Sequence, residues 1–71
     1  MNETSAVMLA LRAAGKKQAD LVGVLKVGTP QAANKKVRDG RWPIDDLIKV
    51  AEFTGGKIIF QMPDGEQYEL K

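Results

Sequence analysis

The stretch TPQAANKKVRDGRW, residues 29 to 42, decides the fold that we expect for this chain. Thr29 is a suitable N-cap, because its hydroxyl can accept a hydrogen bond from a backbone N–H of the first helical turn. Pro30 suits the first helical position, where its missing N–H costs nothing, and Gly40 suits a left-handed C-cap. We therefore predict a helix over residues 30–39.

This helix has a narrow apolar side and a broad polar side. At about 100° per residue, Ala33 and Val37 share the apolar side. The opposite side, here called the polar helix face, consists of Gln31, Asn34, Lys35 and Arg38. Gln and Asn can each present a donor and an acceptor to adenine, and Lys and Arg can bind guanine or phosphate. This face is typical of a DNA contact, and a solvated helix surface is the alternative that the same pattern allows.

The composition predicts one small domain without metal or thiol chemistry. With 71 residues, 44% of them hydrophobic, the chain can bury one core but not two, and such a core gains from burial in an oligomer. It contains neither Cys nor His, which excludes disulfides, imidazole catalysis and the usual zinc ligand sets. Ser5 is the only serine, and the adjacent Asp45 and Asp46 point about 100° apart on a helix. We therefore expect no enzyme, no cofactor and no bound metal.

Charge is divided unevenly along the chain. Up to Trp42 there are eight basic residues and three acidic ones, and from Pro43 onward there are three basic and six acidic. A basic half opposite an acidic half suits a polyanion such as double-stranded DNA. No basic segment precedes an apolar core at the N-terminus, and no apolar run reaches the roughly 20 residues that span a bilayer. A cytoplasmic protein without a membrane partner is expected.

A first helix is expected over residues 4–14. Thr4 or Ser5 can serve as its N-cap and Gly15 as its left-handed C-cap. Apolar residues recur at helical spacing along it, so its expected role is packing in the core.

A second, short helix is expected over residues 17–25. It begins at Lys17 or Gln18, and Gly23 weakens it by roughly 1 kcal/mol relative to Ala. A helix of this length forms only by packing on its neighbours. Gly28 then provides the positive φ that the turn before the third helix needs.

A fourth helix is expected over residues 43–54. Pro43 favours a helix start, and Asp45 and Asp46 place negative charge in the first turn, where the helix dipole favours it. Trp42 should be an anchor in the core or at its edge, and a DNA contact is the alternative. The buried stripe of this helix is expected to be Ile44, Leu47, Ile48 and Ala51, widened by Val50 and Thr54.

The last part of the chain changes to the alternating pattern of a β-hairpin. Strands are expected over residues 57–62 and 66–70, because the Pro-Asp-Gly loop between them suits a type I turn followed by a left-handed glycine. Counting across this loop pairs Phe60 with Tyr68 and Ile58 with Leu70. One side of the hairpin, here called the apolar hairpin face, consists of Ile58, Phe60, Met62, Tyr68 and Leu70. An isolated hairpin is marginal in water, so this face needs either the chain's own helices or a second copy.

Several segments occur in an order and spacing known from one protein family. Gln18 stands where that family often has a glutamine opening helix two, and Asp20 with Leu21 is similar to its acidic-Leu pair. The segment TPQAANKKV is similar to the family's recognition helices, and DGRW followed by DLIKVAEF is similar to its loop and fourth helix. Together, residues 18–53 resemble the Cro and phage-repressor type of helix-turn-helix regulator, the XRE-like family of bacterial and phage DNA-binding domains.

The resemblance implies a mainly α fold, a four-helix lambda-repressor-like helix-turn-helix domain followed by a C-terminal antiparallel β-hairpin. It implies a sequence-specific transcriptional regulator that places its third helix in the major groove of double-stranded DNA. Base contacts are expected from Gln31, Asn34, Lys35 and Arg38. Phosphate contacts are expected from Lys17, Gln18, Thr29, Lys36 and Arg41. A homodimer joined through the apolar hairpin face would bind a palindromic site.

Ala33 is a departure from this family, in which a larger aliphatic residue is usual at that position. Because Ala33 should pack the third helix onto the second, its small side chain is expected to leave the third helix lightly anchored.

A second hypothesis comes from a different functional class. The chain would be a protein-interaction module, antitoxin-like or otherwise partner-binding, built on the same helix-turn-helix scaffold. A fold does not fix a function, and either the helices or the edge of the hairpin would then bind the partner protein.

Overall fold

The chain folds into four α-helices followed by one antiparallel β-hairpin. A computed structural model describes all of its residues, 1–71. The elements are α1 (Glu3–Ala13), a 3-10 turn (Gln18–Asp20) that leads into α2 (Leu21–Leu25), α3 (Pro30–Asp39), α4 (Ile44–Thr54), β1 (Ile58–Gln61) and β2 (Gln67–Leu70). The predicted mainly α architecture with a C-terminal hairpin is therefore confirmed. None of the helices has the length and apolar character needed to cross a bilayer.

The predicted start of α3 is confirmed, and that of α1 is wrong. The Thr29 hydroxyl accepts a hydrogen bond from the backbone N–H of Ala32 at 3.1 Å, and Pro30 is the first residue of α3. In α1 the N-cap is Asn2, whose side-chain oxygen accepts from the backbone N–H of Ser5 at 2.8 Å. Asn is at least as good an N-cap as Ser or Thr. Capping by Asn2 leaves the hydroxyl of Thr4 free for a contact inside the fold.

α2 is shorter than the helix predicted over residues 17–25. Its first residues form a 3-10 turn, in which the Asp20 carboxylate accepts a hydrogen bond from the backbone N–H of Lys17 at 2.9 Å. The helix then ends because Lys26 adopts a left-handed conformation, with φ 54°. The sequence carries no signal for this conformation at a lysine, since glycine is the usual residue there. The positive φ predicted for Gly28 is confirmed, at 84°.

The core lies between all four helices. Its largest cluster of buried residues consists of Val7, Leu11, Leu21, Leu25, Ala33, Trp42 and Val50. Trp42 is a core residue, as predicted, and its indole Nε1 donates a hydrogen bond to the Thr4 hydroxyl at 2.9 Å. A buried indole N–H needs such a partner. This bond ties α1 to the segment between α3 and α4.

The buried stripe predicted for α4 is partly wrong. Its first member, Ile44, is 48% exposed, because the helix begins at this residue and its side chain lies outside the core. The inward position of the first turn belongs to Asp46, whose carboxylate pairs with Lys36 of α3. The buried residues of α4 are Asp46, Val50 and Ala51.

The hairpin has the predicted register, in which Phe60 pairs with Tyr68 and Ile58 with Leu70. Gly65 takes the left-handed position of the loop, with φ 94°. On the apolar hairpin face, Ile58 and Leu70 are half-buried next to the helices, whereas Phe60 and Tyr68 are 61% and 58% exposed. The molecule is accordingly elongated, with extents of 42 × 23 × 20 Å. Most of the apolar hairpin face is therefore not covered by the chain's own helices.

Candidate nucleic-acid interface

α3 presents the polar helix face to solvent. Gln31, Asn34, Lys35 and Arg38 are all exposed, and they lie within an arc of roughly 100°. On the opposite side Ala33 is buried in the core. An α-helix with its side chains is roughly 10–12 Å across, which suits a major groove roughly 12 Å wide. The fold therefore brings the four predicted base-contacting side chains together on one accessible surface.

α3 is anchored by polar contacts as well as by Ala33. Lys36 Nζ lies 2.6 Å from Asp46 Oδ2 on α4, and the Thr4 hydroxyl on α1 lies 3.5 Å from the carbonyl oxygen of Val37. The Lys36 and Asp46 side chains are only 28% and 13% exposed, so solvent screens their attraction less than it would at the surface. Ala33 is the only buried residue of α3, so the expectation that its apolar anchoring is light stays a prediction, and these polar contacts add to it.

The ion pair gives Lys36 a role inside the protein. We expected this side chain to contact a DNA phosphate, yet its ammonium is bound by Asp46 between α3 and α4. A lysine ammonium has three donors, so the phosphate contact stays a prediction that requires Lys36 to share its ammonium with Asp46. No sequence pattern indicated this pairing, because it depends on how α3 crosses α4.

Gln18 and Asn34 are joined by a hydrogen bond between their side chains. The Gln18 amide nitrogen donates to Asn34 Oδ1 at 3.0 Å, which connects the turn before α2 to the polar helix face. This bond leaves the Asn34 NH2 group, one lone pair of its oxygen and the second N–H of Gln18 free. Gln18 therefore restricts the position of the Asn34 side chain while the Asn34 amide stays able to bind a base edge.

The other residues predicted to bind phosphate lie at the borders of the polar helix face. Lys17, Thr29 and Arg41 are all exposed. Lys17 is next to Gln18, Thr29 precedes the first residue of α3, and Arg41 follows its C-cap. The Thr29 hydroxyl accepts the capping bond through its oxygen, so its proton can still be donated to an anion.

Two basic residues that we did not assign from the sequence lie beside Gln18. Arg12 and Lys16 line, together with Gln18, an open depression of about 290 Å³. Lys16 Nζ also lies 5.1 Å from the centre of the Phe53 ring, which is a cation–π distance. The only sequence feature that indicated Arg12 and Lys16 was the excess of basic residues up to Trp42. They extend the positive surface to the end of α1.

The residues predicted for a dimer interface form a second, partly exposed surface. They lie on one side of the hairpin. On the opposite side, Glu69 lies between Lys57 at 3.6 Å and Lys71 at 3.8 Å, next to its cross-strand partner Ile59, which is 37% exposed. The large exposed side chains of the apolar hairpin face are Phe60, Met62 and Tyr68. A contiguous apolar surface with a polar border is typical of an interaction site.

The geometry of these two surfaces is the basis for assigning a function. Neither a protein-family model, nor a curated protein, nor a solved structure matches the chain significantly. No group of three or more His, Cys, Asp or Glu side chains lies close enough together to hold a metal ion.

Proposed function

We propose that this chain is a sequence-specific DNA-binding transcriptional regulator that acts as a homodimer. In this proposal α2 and α3 form a helix-turn-helix of the Cro and phage-repressor type, and α3 lies in the major groove. The observation that carries the proposal is the polar helix face, where Gln31, Asn34, Lys35 and Arg38 are exposed together on a helix fixed from its other side. No catalytic residue, metal or cofactor takes part.

The polar helix face supplies the sequence-specific contacts. Gln31 and Asn34 present donor and acceptor pairs that suit adenine, and Lys35 and Arg38 bind guanine or a nearby phosphate. Gln18 holds Asn34 and donates its second N–H to a phosphate. The base contact of Asn34 and the position of the DNA backbone are then coupled through one pair of side chains.

The borders of the polar helix face supply the contacts that do not depend on sequence. Lys17, Thr29 and Arg41 are exposed beside it and bind phosphates, which releases counterions and makes affinity depend on salt. In a homodimer with two-fold symmetry, two copies of α3 bind half-sites roughly 34 Å apart.

Selection of bound fragments from a random pool of double-stranded DNA tests the proposal directly. We expect a palindromic consensus whose half-sites are roughly one helical turn apart. Affinity for the selected site should fall with salt, with a log–log slope of about −0.9 for each phosphate contacted. If no fragment is retained at low salt, DNA binding is excluded as the function.

A double substitution, Gln31→Ala with Asn34→Ala, tests the polar helix face itself. We expect a loss of about 1–3 kcal/mol for each base contact on the selected site, and little change on random DNA, because phosphate contacts remain. Gln67→Ala is the matched control, since Gln67 is an exposed glutamine on the hairpin. Gel-shift titrations of both DNAs give the comparison. An unchanged preference for the selected site in the double variant would assign base contact to another surface.

A protein-interaction module is the second candidate, and the exposed apolar hairpin face is the observation that favours it. An antitoxin-like or otherwise partner-binding protein would bury Phe60 and Tyr68 against another protein rather than against a second copy. Such a module gives no steep salt dependence on DNA, so the slope measurement separates the two candidates.

A further inference from the structure

We infer that the groove between α1, α4 and the start of β1, here called the apolar groove, binds a small apolar monocarboxylate. A medium-chain fatty acid anion represents this class of ligand, and Lys57 contacts its carboxylate. The inference goes beyond the proposed function, because the residues that line this groove are not among the predicted DNA contacts. It can therefore be tested without DNA.

Small side chains leave the apolar groove open. Its volume is about 210 Å³, and its buried floor consists of Val7, Val50 and Ala51. Ala6 and Ala10 of α1 also line it, at positions where larger aliphatic side chains would fill the space. The chain thus leaves a concave apolar surface open to water, and an apolar ligand that covers this surface gains free energy by removing it from water.

Two polar groups that line the apolar groove already have partners within the chain. The Thr54 hydroxyl donates a hydrogen bond to the carbonyl oxygen of Val50 at 2.9 Å. The backbone N–H of Gly56 donates to the carbonyl oxygen of Ala51 at 2.8 Å. Neither group has a free proton to offer a ligand, so this part of the lining suits a hydrocarbon chain better than a polar molecule.

Lys57 is the only charged residue that lines the apolar groove. Its ammonium lies 3.6 Å from the Glu69 carboxylate, and its side chain is 70% exposed. An exposed ion pair of this kind contributes little to stability, and an ammonium has three donors. Lys57 can therefore bind a ligand carboxylate as well. Because no acidic residue lines the groove, a ligand with one negative charge at one end complements it.

The dimensions of the apolar groove limit its ligand to a small molecule. Leu47 and Thr54 both line it, and at roughly 1.5 Å per residue α4 rises about 10 Å from one to the other. Its volume is below the roughly 300–1,000 Å³ of sites for drug-sized ligands. A partner helix, roughly 10–12 Å across with its side chains, is too wide for the groove. One hydrocarbon chain or one aromatic ring has a suitable size.

The depression beside Gln18 suits a different anion. Arg12 and Lys16 place two positive charges there, and Gln18 adds a polar amide. Polar atoms form a larger share of its surface than of the apolar groove. A phosphate gains from several charged donors, whereas a fatty acid anion gains mainly from apolar walls. The two surfaces should therefore select different ligands.

Titration calorimetry of the wild-type chain with fatty acid anions from butanoate to decanoate tests the class of ligand. Each additional CH2 group that becomes buried should tighten binding by about fourfold, until the groove is full and the affinity stays constant. Octanol and octylamine lack the carboxylate and should bind more weakly than octanoate. Equal affinities for octanoate and octylamine, or no saturable binding of any of the acids, would overturn the inference.

Lys57→Gln tests the carboxylate contact, with Lys49→Gln as the matched control. Both lysines are exposed, but Lys49 does not line the apolar groove. We expect Lys57→Gln to weaken octanoate binding by about two- to fivefold and to leave octanol binding unchanged. Lys49→Gln should change neither. An unchanged affinity for octanoate in Lys57→Gln would show that this lysine does not bind the carboxylate, and the inference would fail.

Ala10→Leu tests the location, because the larger side chain fills the apolar groove. Ala13→Leu is the matched control, since Ala13 is an exposed residue of α1 outside the groove. We expect octanoate binding to be abolished by the first substitution and retained by the second. If Ala10→Leu does not fold, amide NMR spectra of the wild-type chain locate the ligand. Octanoate should shift signals of α1, α4 and Ile58, and shifts concentrated around Arg12 and Lys16 would overturn the site.

The outcomes separate this inference from the proposed function. Octanoate binding by a chain that retains no DNA at low salt supports the apolar groove as a ligand site and overturns the regulator. A chain that selects a DNA sequence but binds no fatty acid anion overturns the ligand site and leaves DNA binding in place. If octanoate does not bind and Ala10→Leu converts a dimer to a monomer, a second copy occupies the groove, and the inference is overturned.

Discussion

At the scale of single residues, the orientation of α3 depends on polar side chains at its junctions with α1 and α4. Ala33 fills little volume, and the ion pair of Lys36 with Asp46 and the bond of Thr4 with Trp42 hold the surrounding elements together. These contacts fix the orientation of the polar helix face, although none of the residues that make them belongs to that face. Removing these contacts should therefore lower mainly the stability of the fold.

Asp46→Asn should lower the free energy of unfolding by about 1–3 kcal/mol. Removing one partner of a fully buried ion pair costs about 3–5 kcal/mol, and the cost is smaller here because the Lys36 side chain is 28% exposed. Asp45→Asn is the matched control, since Asp45 lies in the same helical turn but is exposed. Urea unfolding of both variants gives the comparison, and equal losses would mean that the ion pair contributes nothing beyond the helix dipole.

Thr4→Val should be more destabilising than Thr4→Ser. Valine removes the acceptor of the Trp42 indole N–H, and a buried donor without a partner costs about 1–3 kcal/mol. Serine keeps the hydroxyl, so most of the stability should be retained. Thermal unfolding of both variants compares their stabilities. A valine variant as stable as the serine variant would show that the indole N–H has another acceptor.

The periodicity of a single helix predicted which residues of α3 face outward. It did not predict which residues of other elements their side chains contact. Gln31, Asn34, Lys35 and Arg38 lie on the exposed face because 100° per residue is a property of one helix. The pairing of Lys36 with Asp46 and that of Gln18 with Asn34 depend on how helices cross. That crossing follows from the packing of the whole core, so no local pattern carries it.

At the scale of elements, a helix end could be predicted from the sequence where a single residue type is suited to the cap conformation or the capping hydrogen bond. Thr29 with Pro30 fixed the start of α3, and Gly40 its end, with φ 68°. The prediction was wrong for α1, where Asn2 competes successfully with Thr4 as N-cap. It was incomplete for α2, because the helix ends at Lys26 in a left-handed conformation that is uncommon for residues other than glycine.

Two glycine substitutions should change stability in opposite directions. Gly23→Ala should raise the free energy of unfolding by about 0.5–1 kcal/mol, because alanine favours the helix and a Cβ at Gly23 meets no atom within 4 Å. Gly40→Ala should lower it by about 1 kcal/mol or more, because φ there is positive. Denaturant unfolding of both variants checks the signs, and a stabilised Gly40→Ala would contradict the left-handed C-cap.

The hairpin was the element whose sequence carried the most complete information. The Pro-Asp-Gly loop fixes the turn, and the turn fixes the register, so the pairing of Phe60 with Tyr68 follows by counting. Whether the hairpin packs on its own helices is a question of tertiary structure. In the single chain, Phe60 and Tyr68 are exposed, so this part of the hairpin does not pack on the helices.

At the scale of the whole molecule, basic and apolar surfaces are separated. The polar helix face and its basic borders lie on α3 and the segments around it, whereas the exposed apolar side chains are concentrated on the hairpin. A regulator of the proposed kind would bind DNA with one part and its second copy with the other. Substitutions in the polar helix face should then weaken DNA binding without changing dimerisation. Substitutions that break the dimer at the hairpin should also weaken binding to a palindromic site, because two linked subunits bind it more tightly than one.

Arg41→Ala should reduce the salt dependence of DNA binding, and Lys49→Ala should not. Each lost phosphate contact lowers the magnitude of the log–log slope by about 0.9, so the loss of one contact from each subunit of the dimer lowers it by about 1.8, and Arg41 lies beside the polar helix face. Lys49 is also an exposed cation, on α4, and serves as the matched control. Titrations of the selected site at several salt concentrations measure both slopes, and identical slopes for the two variants would remove Arg41 from the set of phosphate contacts.

The position of Trp42 has a spectroscopic consequence. It is the only tryptophan and is buried where α1, α3 and α4 meet, whereas the only tyrosine, Tyr68, is exposed on the hairpin. The two intrinsic fluorophores of the unlabelled protein therefore report on different parts of it. Tryptophan emission follows the melting of the helices, and tyrosine emission follows events at the hairpin, so folding and association can be recorded separately from the same sample.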